Sequence, residues 1–236
     1  AAGKGTRMNS KRPKVLHELA GKSLINHVIN TAKLLSPKYI VVILGYESDL
    51  IKQSINDDNI LFSIQRRQKG TGHAVMKAKQ HLHKFKGQTL VLSGDVPLIK
   101  KETLISLYKK QINNNLDACM LTADMEDPTG YGRVIRDDNE HLKYVKEHKD
   151  CNEREIKVKE INSGIYIFNT QTLFKLLPKL DNNNSQSEYY LPDVLSLIIS
   201  QHGKIGLEKT TDNIEIQGVN TSEQLVYLEK EYQKYE

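Results

Sequence analysis

The chain has 236 residues, enough to bury one sizeable core with a smaller lobe, since domains commonly run to ~100–200 residues. Hydrophobic residues at 38% and charged residues at 27% describe a globular sequence, and no stretch nears the ~18 consecutive apolar residues of a membrane span. The net charge of +5 is modest and is spread along the chain apart from one opening cluster, which disfavours a nucleic-acid partner.

That cluster opens the chain. Gly3 and Gly5 flank Lys4 in Ala1-Ala2-Gly3-Lys4-Gly5-Thr6-Arg7-Met8, and Lys11, Arg12 and Lys14 follow closely. Glycines let backbone N–H groups converge on an anion, so the stretch suits a triphosphate; a plain turn with a solvated basic face is the other reading. The spacing is not that of a Walker A loop. A phosphate-binding loop in an α/β fold usually leaves a hydrophobic strand. Ala1-Ala2 reads as the tail of one, so a strand is expected ahead of it.

Apolar periodicity predicts a helix over 23–35, a buried parallel strand over 39–44, a helix over 48–55 and a strand over 60–64. A helix over 71–82, a buried strand over 89–92 and a helix over 103–113 continue the alternation. It argues for a doubly wound, Rossmann-like α/β sheet with ligands outside the strands' carboxyl ends. Strands over 118–123, 133–136, 141–146 and 161–168 then come with few helices between them, the pattern of a mixed sheet with an inserted lobe. The polar run 181–187 reads as a loop, 191–200 as a helix, 204–207 and 215–219 as strands, and 222–235 as a closing helix. The whole reads as a single domain, with a first half over 1–115, a second over 116–220 and a closing segment over 221–236. Cys119 and Cys151 sit outside any C-x-x-C pattern, and no signal-peptide pattern occurs, which points to a reducing, cytoplasmic setting.

Several residues can carry chemistry. Asp95, beside Gly94 after a strand, suits a hard cation such as Mg²⁺, or else caps a turn. Asn220 offers an amide oxygen, or else caps the helix behind it. Lys14 follows Pro13, which fixes the local backbone, though most lysines are simply solvated. Gln65 can donate and accept at a strand end, as the edge of uracil requires, or stand in water. Glu147 lies in the charged run Lys146-Glu147-His148-Lys149, and Asn162-Ser163-Gly164 could be a bare turn. His73 and His148 read as supporting residues rather than bases.

Taken in order, AAGKGTRM, PKVLHELAGKSL, Gln65 with Gly70-Thr71-Gly72-His73-Ala74, and Ser93-Gly94-Asp95-Val96-Pro97-Leu98 form one set. Gly130-Tyr131-Gly132-Arg133, Glu147-His148-Lys149-Asp150, Glu160-Ile161-Asn162-Ser163-Gly164 and Gly218-Val219-Asn220 complete it. The set resembles the signature of the sugar-1-phosphate nucleotidyltransferase family, and within it the N-acetylglucosamine-1-phosphate uridyltransferases. The resemblance covers nearly the whole chain and implies transfer of UMP from UTP to N-acetylglucosamine 1-phosphate, with no covalent intermediate. It implies that Asp95 and Asn220 hold one Mg²⁺, that Lys14 binds phosphate and that Arg7 stabilises the leaving pyrophosphate. Ala1, Ala2, Gly3, Lys14, Gln65, Gly70 and Thr71 would bind the nucleotide. Ser93, Gly94, Gly132, Glu147, Asn162 and Asn220 would face the sugar.

Two positions depart from the family pattern. Ser93 stands where relatives often differ, and Ser187 replaces the usual glycine of the segment ending Glu188-Tyr189-Tyr190. No hexapeptide repeat occurs, so the acetyltransferase domain that often follows in the family is not expected within these residues. Glucose-1-phosphate uridylyl- or thymidylyltransferases are the nearest rivals. A non-catalytic nucleotide-sugar sensor would be expected to have lost Asp95, Asn220 or Lys14, and all three are present.

Overall fold

The structure is a computed structural model that describes Met8, Ser10 and residues 12–234. In chain order its strands are β1 (Glu18–Leu19), β2 (Lys22–Ser23), β3 (Ile40–Leu44), β4 (Ile60–Ile64), β5 (Gln88–Val91), β6 (Ala118–Asp124), β7 (Gly132–Arg136), β8 (Leu142–Lys146), β9 (Glu160–Asn169) and β10 (Ile205–Lys209). The helices are α1 (Leu24–Lys33), α2 (Ser48–Ser54), α3 (Thr71–Met76), α4 (Lys79–Leu82), α5 (Lys101–Asn113), α6 (Thr170–Leu176), α7 (Asp193–Ser200) and α8 (Ser222–Tyr232). The chain divides into two compact units. The first is drawn from 1–68, 92–102 and 214–236, and the second from 69–91 and 103–213.

In the first unit, Pro13 sets the entry to a tight turn over Lys14–Leu16, where the Leu16 N–H donates to Pro13 O at 2.9 Å. The hairpin of β1 and β2 turns at Ala20 (φ 47°) and Gly21 (φ 72°), the positive-φ pair of a tight hairpin. One face of α1, with Leu24, Ile25, Val28 and Ile29, is buried. β3 and β4 run parallel through a five-residue register from Ile40↔Ile60 to Leu44↔Ile64, with α2 between them in sequence. One apolar cluster joins Val15, Leu16, Ile25, Val42, Leu44 and Ile51; another joins Met8, Leu19, Leu24, Val219 and Leu228.

The second unit is built on a six-stranded mixed sheet in the order β10-β6-β9-β7-β8, with β5 pairing β9 off this path. β10 lies parallel to β6, and β5, β6 and β7 are antiparallel to β9. β6 is buried along six of its seven residues, as a strand flanked on both sides should be. No helix among the described residues is long and apolar enough to cross a membrane.

The structure corrects four of the expected elements. Residues 215–219 form no strand: Glu215 and Ile216 belong to a turn, and the Val219 N–H bonds Asp95 O at 2.9 Å instead of a ladder partner. The helix expected over 71–82 is broken into α3 and α4, because Lys77 N and Ala78 N bond carbonyls three residues back, the tighter 3₁₀ pattern. β5 is half-buried throughout rather than buried, and only Val42 and Leu44 of β3 are buried. The helix α6 was not expected; its start is set by Asn169, whose side chain accepts from the N–H groups of Gln171 and Thr172, both at 3.1 Å.

Candidate active site

Ala1, Ala2, Gly3 and Arg7, expected to meet phosphates, lie outside the described residues. The rest of the expected set falls into two groups, one in each unit.

In the first unit three residues remote in sequence converge. The Lys14 ammonium donates to Asp95 Oδ2 in a short ion pair and to Asn220 Oδ1 at 3.0 Å. Lys14 comes from the turn that Pro13 starts, Asp95 from a turn in which Val96 N–H bonds Ser93 O at 3.2 Å, and Asn220 from the segment before α8. The bond from Val219 N–H to Asp95 O ties the last two segments together. A Cβ at Gly218 would lie 3.6 Å from Asp95 Oδ2, in ordinary contact, so Gly218 packs directly beside the carboxylate.

Asn220 does not cap the helix. Thr221 does: its hydroxyl accepts from Gln224 N–H at 3.3 Å, and Gln224 Oε1 accepts from Thr221 N–H at 3.2 Å and from Asn220 N–H at 2.7 Å. The Asn220 amide donates its Nδ2 to Gly218 O at 3.4 Å, which turns Oδ1 towards Lys14. Two hard oxygen donors therefore aim at one point occupied by a cation, and this donor set fits Mg²⁺. Among the described residues no group of three or more His, Cys, Asp and Glu could hold a metal. An ion here would take its remaining ligands from water and phosphate.

Elsewhere in the first unit, Gln65 follows β4 and is 2% exposed, so it is not a solvated strand end; its N–H bonds Leu44 O at 2.7 Å. Ser93 and Gly94 adjoin Asp95 in the same turn, Gly94 buried and Ser93 partly so.

In the second unit Gly132, Glu147 and Asn162 come together. Gly132 and Asn162 are register partners of β7 and β9. A Cβ on Gly132 would lie 3.4 Å from Glu147 Oε1 and 3.5 Å from Asn162 Cβ, so the glycine leaves the carboxylate open. Burial pushes the Glu147 carboxyl up to about 7, helped by the nearby charges of Asp193, Asp150 and Glu188. Asp193 itself is pushed up to about 6, first by burial and then by Asp181, with Lys146 opposing. Buried Tyr166, hydrogen-bonded to Asn162, is also raised by burial. A carboxyl poised between its two forms can both accept from and donate to a sugar hydroxyl.

Gly70 and Thr71 begin α3 against 188–191. Gly70 has φ 98°, and a Cβ there would come within 2.5 Å of Tyr189 O and 2.8 Å of Tyr189 N. Only glycine fits on both counts. The Thr71 hydroxyl accepts from Leu191 N–H at 2.9 Å. His73 lies 6.3 Å from the Tyr189 ring, and its imidazole is held below the usual range, chiefly by burial. The His148 ring nitrogen is 3.2 Å from the guanidinium of fully buried Arg133.

Sequence reasoning passed over Asp193 and Asp150. The signal was faint: Pro192-Asp193 reads only as a helix start, and its effect on Glu147 depends on packing.

Comparison with known proteins places the chain in a family. The family described as Nucleotidyl transferase matches residues 1–209. The bifunctional protein GlmU of Staphylococcus saprophyticus is 46% identical over 234 residues, covering 99% of this chain and 52% of that protein. GlmU of Clostridium botulinum is 46% identical over 230 residues, covering 98% and 50%. The chain thus spans about half the length of these curated relatives. A crystal structure of UDP-glucose pyrophosphorylase complexed with UDP-glucose superposes with a TM-score of 0.75 at 19% identity, covering 100% of this chain and 97% of that one, which establishes the shared fold. With that fold, and with the family match running through Lys14, Asp95, Glu147 and Asn162, the chain belongs to the nucleotidyl transferase family.

Proposed function

We propose that the chain transfers UMP from UTP to N-acetylglucosamine 1-phosphate, forming UDP-N-acetylglucosamine and releasing pyrophosphate, with Mg²⁺ held by Asp95 and Asn220. The observation that carries this reading is the convergence of Lys14, Asp95 and Asn220 from positions 81 and 206 residues apart along the chain. A fold needs no such cation–carboxylate–carboxamide cluster for stability alone, whereas a triphosphate does.

The attacking group is a phosphate oxygen of the sugar phosphate, already ionised, so no base is needed. Its bond to the α-phosphorus of UTP forms as the bond to the β-phosphate oxygen breaks, and pyrophosphate leaves with the electron pair. The barrier is the repulsion of two anions and their poor alignment. Mg²⁺, when bound, offsets triphosphate charge. Lys14 offsets phosphate charge from its fixed turn, and Arg7 would take the pyrophosphate with its two-pronged guanidinium. The backbone of Ala1, Ala2 and Gly3 would meet phosphate oxygens, while Gln65, Gly70 and Thr71 read the uridine. Gly132, Glu147 and Asn162 would bind the acetamido sugar, with Ser93, Gly94 and Asn220 completing the sugar side. The free thiols of Cys119 and Cys151 suit a reducing, cytoplasmic setting for this reaction.

The test is pyrophosphate release from UTP with a panel of sugar 1-phosphates, with and without Mg²⁺. The expected result is Mg²⁺-dependent release with a preference for N-acetylglucosamine 1-phosphate. Preference for glucose 1-phosphate would overturn the substrate, and no release with any sugar phosphate would overturn the reaction.

A further inference from the structure

The Lys14 ammonium occupies the point at which Asp95 Oδ2 and Asn220 Oδ1 converge. Resting on the reading that these two oxygens hold the metal, we propose that Lys14 is a tethered counter-ion. In the nucleotide-free enzyme its ammonium fills the seat of the divalent cation, and the seat opens when a nucleotide's phosphates draw the ammonium away.

The residue types suit such an exchange. An ammonium is a compact point charge on a flexible four-carbon stem, and it competes for the same hard oxygens as a small dication. Pro13 fixes the backbone from which that stem swings. Asn220 is held from behind, by Gly218 O at 3.4 Å and Gln224 Oε1 at 2.7 Å, so its Oδ1 stays aimed at the seat whichever cation fills it. The Lys14 and Asp95 side chains are only 17% and 21% exposed. A carboxylate at that depth without a counter-charge would be costly, and Lys14 removes that cost while the metal is away. The ammonium and a dication cannot share the point, since their repulsion is strong where water is partly excluded. Lys14 therefore has two tasks in sequence: it guards the seat, then it moves to phosphate.

The proposal is tested by Mn²⁺ binding to the full chain without nucleotide, followed by the electron paramagnetic resonance signal of free Mn²⁺. K14M removes the charge and keeps the stem, and it should bind Mn²⁺ ~10-fold or more tightly than the unmodified protein. K14R keeps a charge at the seat and should stay near the unmodified value. Adding D95N to K14M should abolish the gain. Circular dichroism melts confirm that each variant is folded, and K14Q stands in for K14M if the latter is not. Equal Mn²⁺ affinity in K14M and the unmodified protein overturns the tethered-ion role, as does a gain that survives D95N. Pyrophosphate release by D95A separates this from the underlying reading. Lost turnover with no Mn²⁺ gain in K14M overturns the tethered-ion role alone, whereas full turnover in D95A removes the metal assignment itself.

Discussion

Glu147 and Asp95 are both carboxylates, and their surroundings differ. Asp95 faces the Lys14 ammonium in an ion pair. Glu147 faces burial and other carboxylates, so it holds its proton up to about 7 rather than the ordinary 4.5. The sign for stability follows. The folded state binds this proton more tightly than the unfolded chain does, so its contribution is complete below about 4.5 and is lost as pH rises through about 7. Urea midpoints should therefore fall between about pH 5 and about pH 8, and E147Q should flatten the slope by about 2 kcal/mol. An unchanged slope in E147Q would sink the assignment; a residual slope of the same sign is expected from Asp193, raised to about 6. For Asp95 the expectation concerns turnover. D95A should lower pyrophosphate release by at least ~100-fold with an intact circular dichroism spectrum, the scale of losing a main electrostatic contributor. Near-normal release would show that the carboxylate takes no part.

Among the elements, the segment between α6 and α7 carries a visible strain. Ser187 has φ 53°, a left-handed conformation in a loop held by Asn184, whose Oδ1 accepts from Gln186 N–H at 3.2 Å and Glu188 N–H at 3.1 Å. Glycine there would avoid the steric cost. S187G should stabilise the protein by roughly 0.5–1 kcal/mol, partly offset by the greater freedom of glycine in the unfolded chain. A fall in the denaturation midpoint would contradict this. In α5, Gln111 continues the buried stripe of Leu104 and Leu107, and both atoms of its fully buried side-chain amide lack a partner among the described residues. Q111L should raise stability by about 1–2 kcal/mol, because it removes an unsatisfied polar group and keeps the volume. A destabilised Q111L would mean that the amide makes a compensating bond.

At the scale of the molecule, the elements with a clear apolar period were legible in the sequence. The β3-α2-β4 alternation and the strands β6 to β9 stand near their expected positions, because their burial follows from local spacing. Residues 215–219 misled because Glu215, Ile216 and Val219 are buried without belonging to a sheet. The identities of Lys14, Asp95 and Asn220 were readable from motif order, but the ion pair among them was not, since it depends on long-range approach. The raised carboxyl of Glu147 was equally hidden, because Asp193 reaches it only through the fold. Among the described residues, the two apolar clusters given above for the first unit do not include Lys14, Asp95 or Asn220. Chelating divalent cations should therefore stop turnover and leave the thermal midpoint within ~1 °C, whereas a metal that stabilised the folded state would shift it on removal. The capping pair of α8 has a further consequence. Gln224 grips the start of the helix and the main chain of Asn220 with the same oxygen. Fraying of this helix would loosen the aim of a residue that faces Lys14. Substitutions on the outer surface of α8 could then register as weakened cation affinity, with no change to any group that touches the ion.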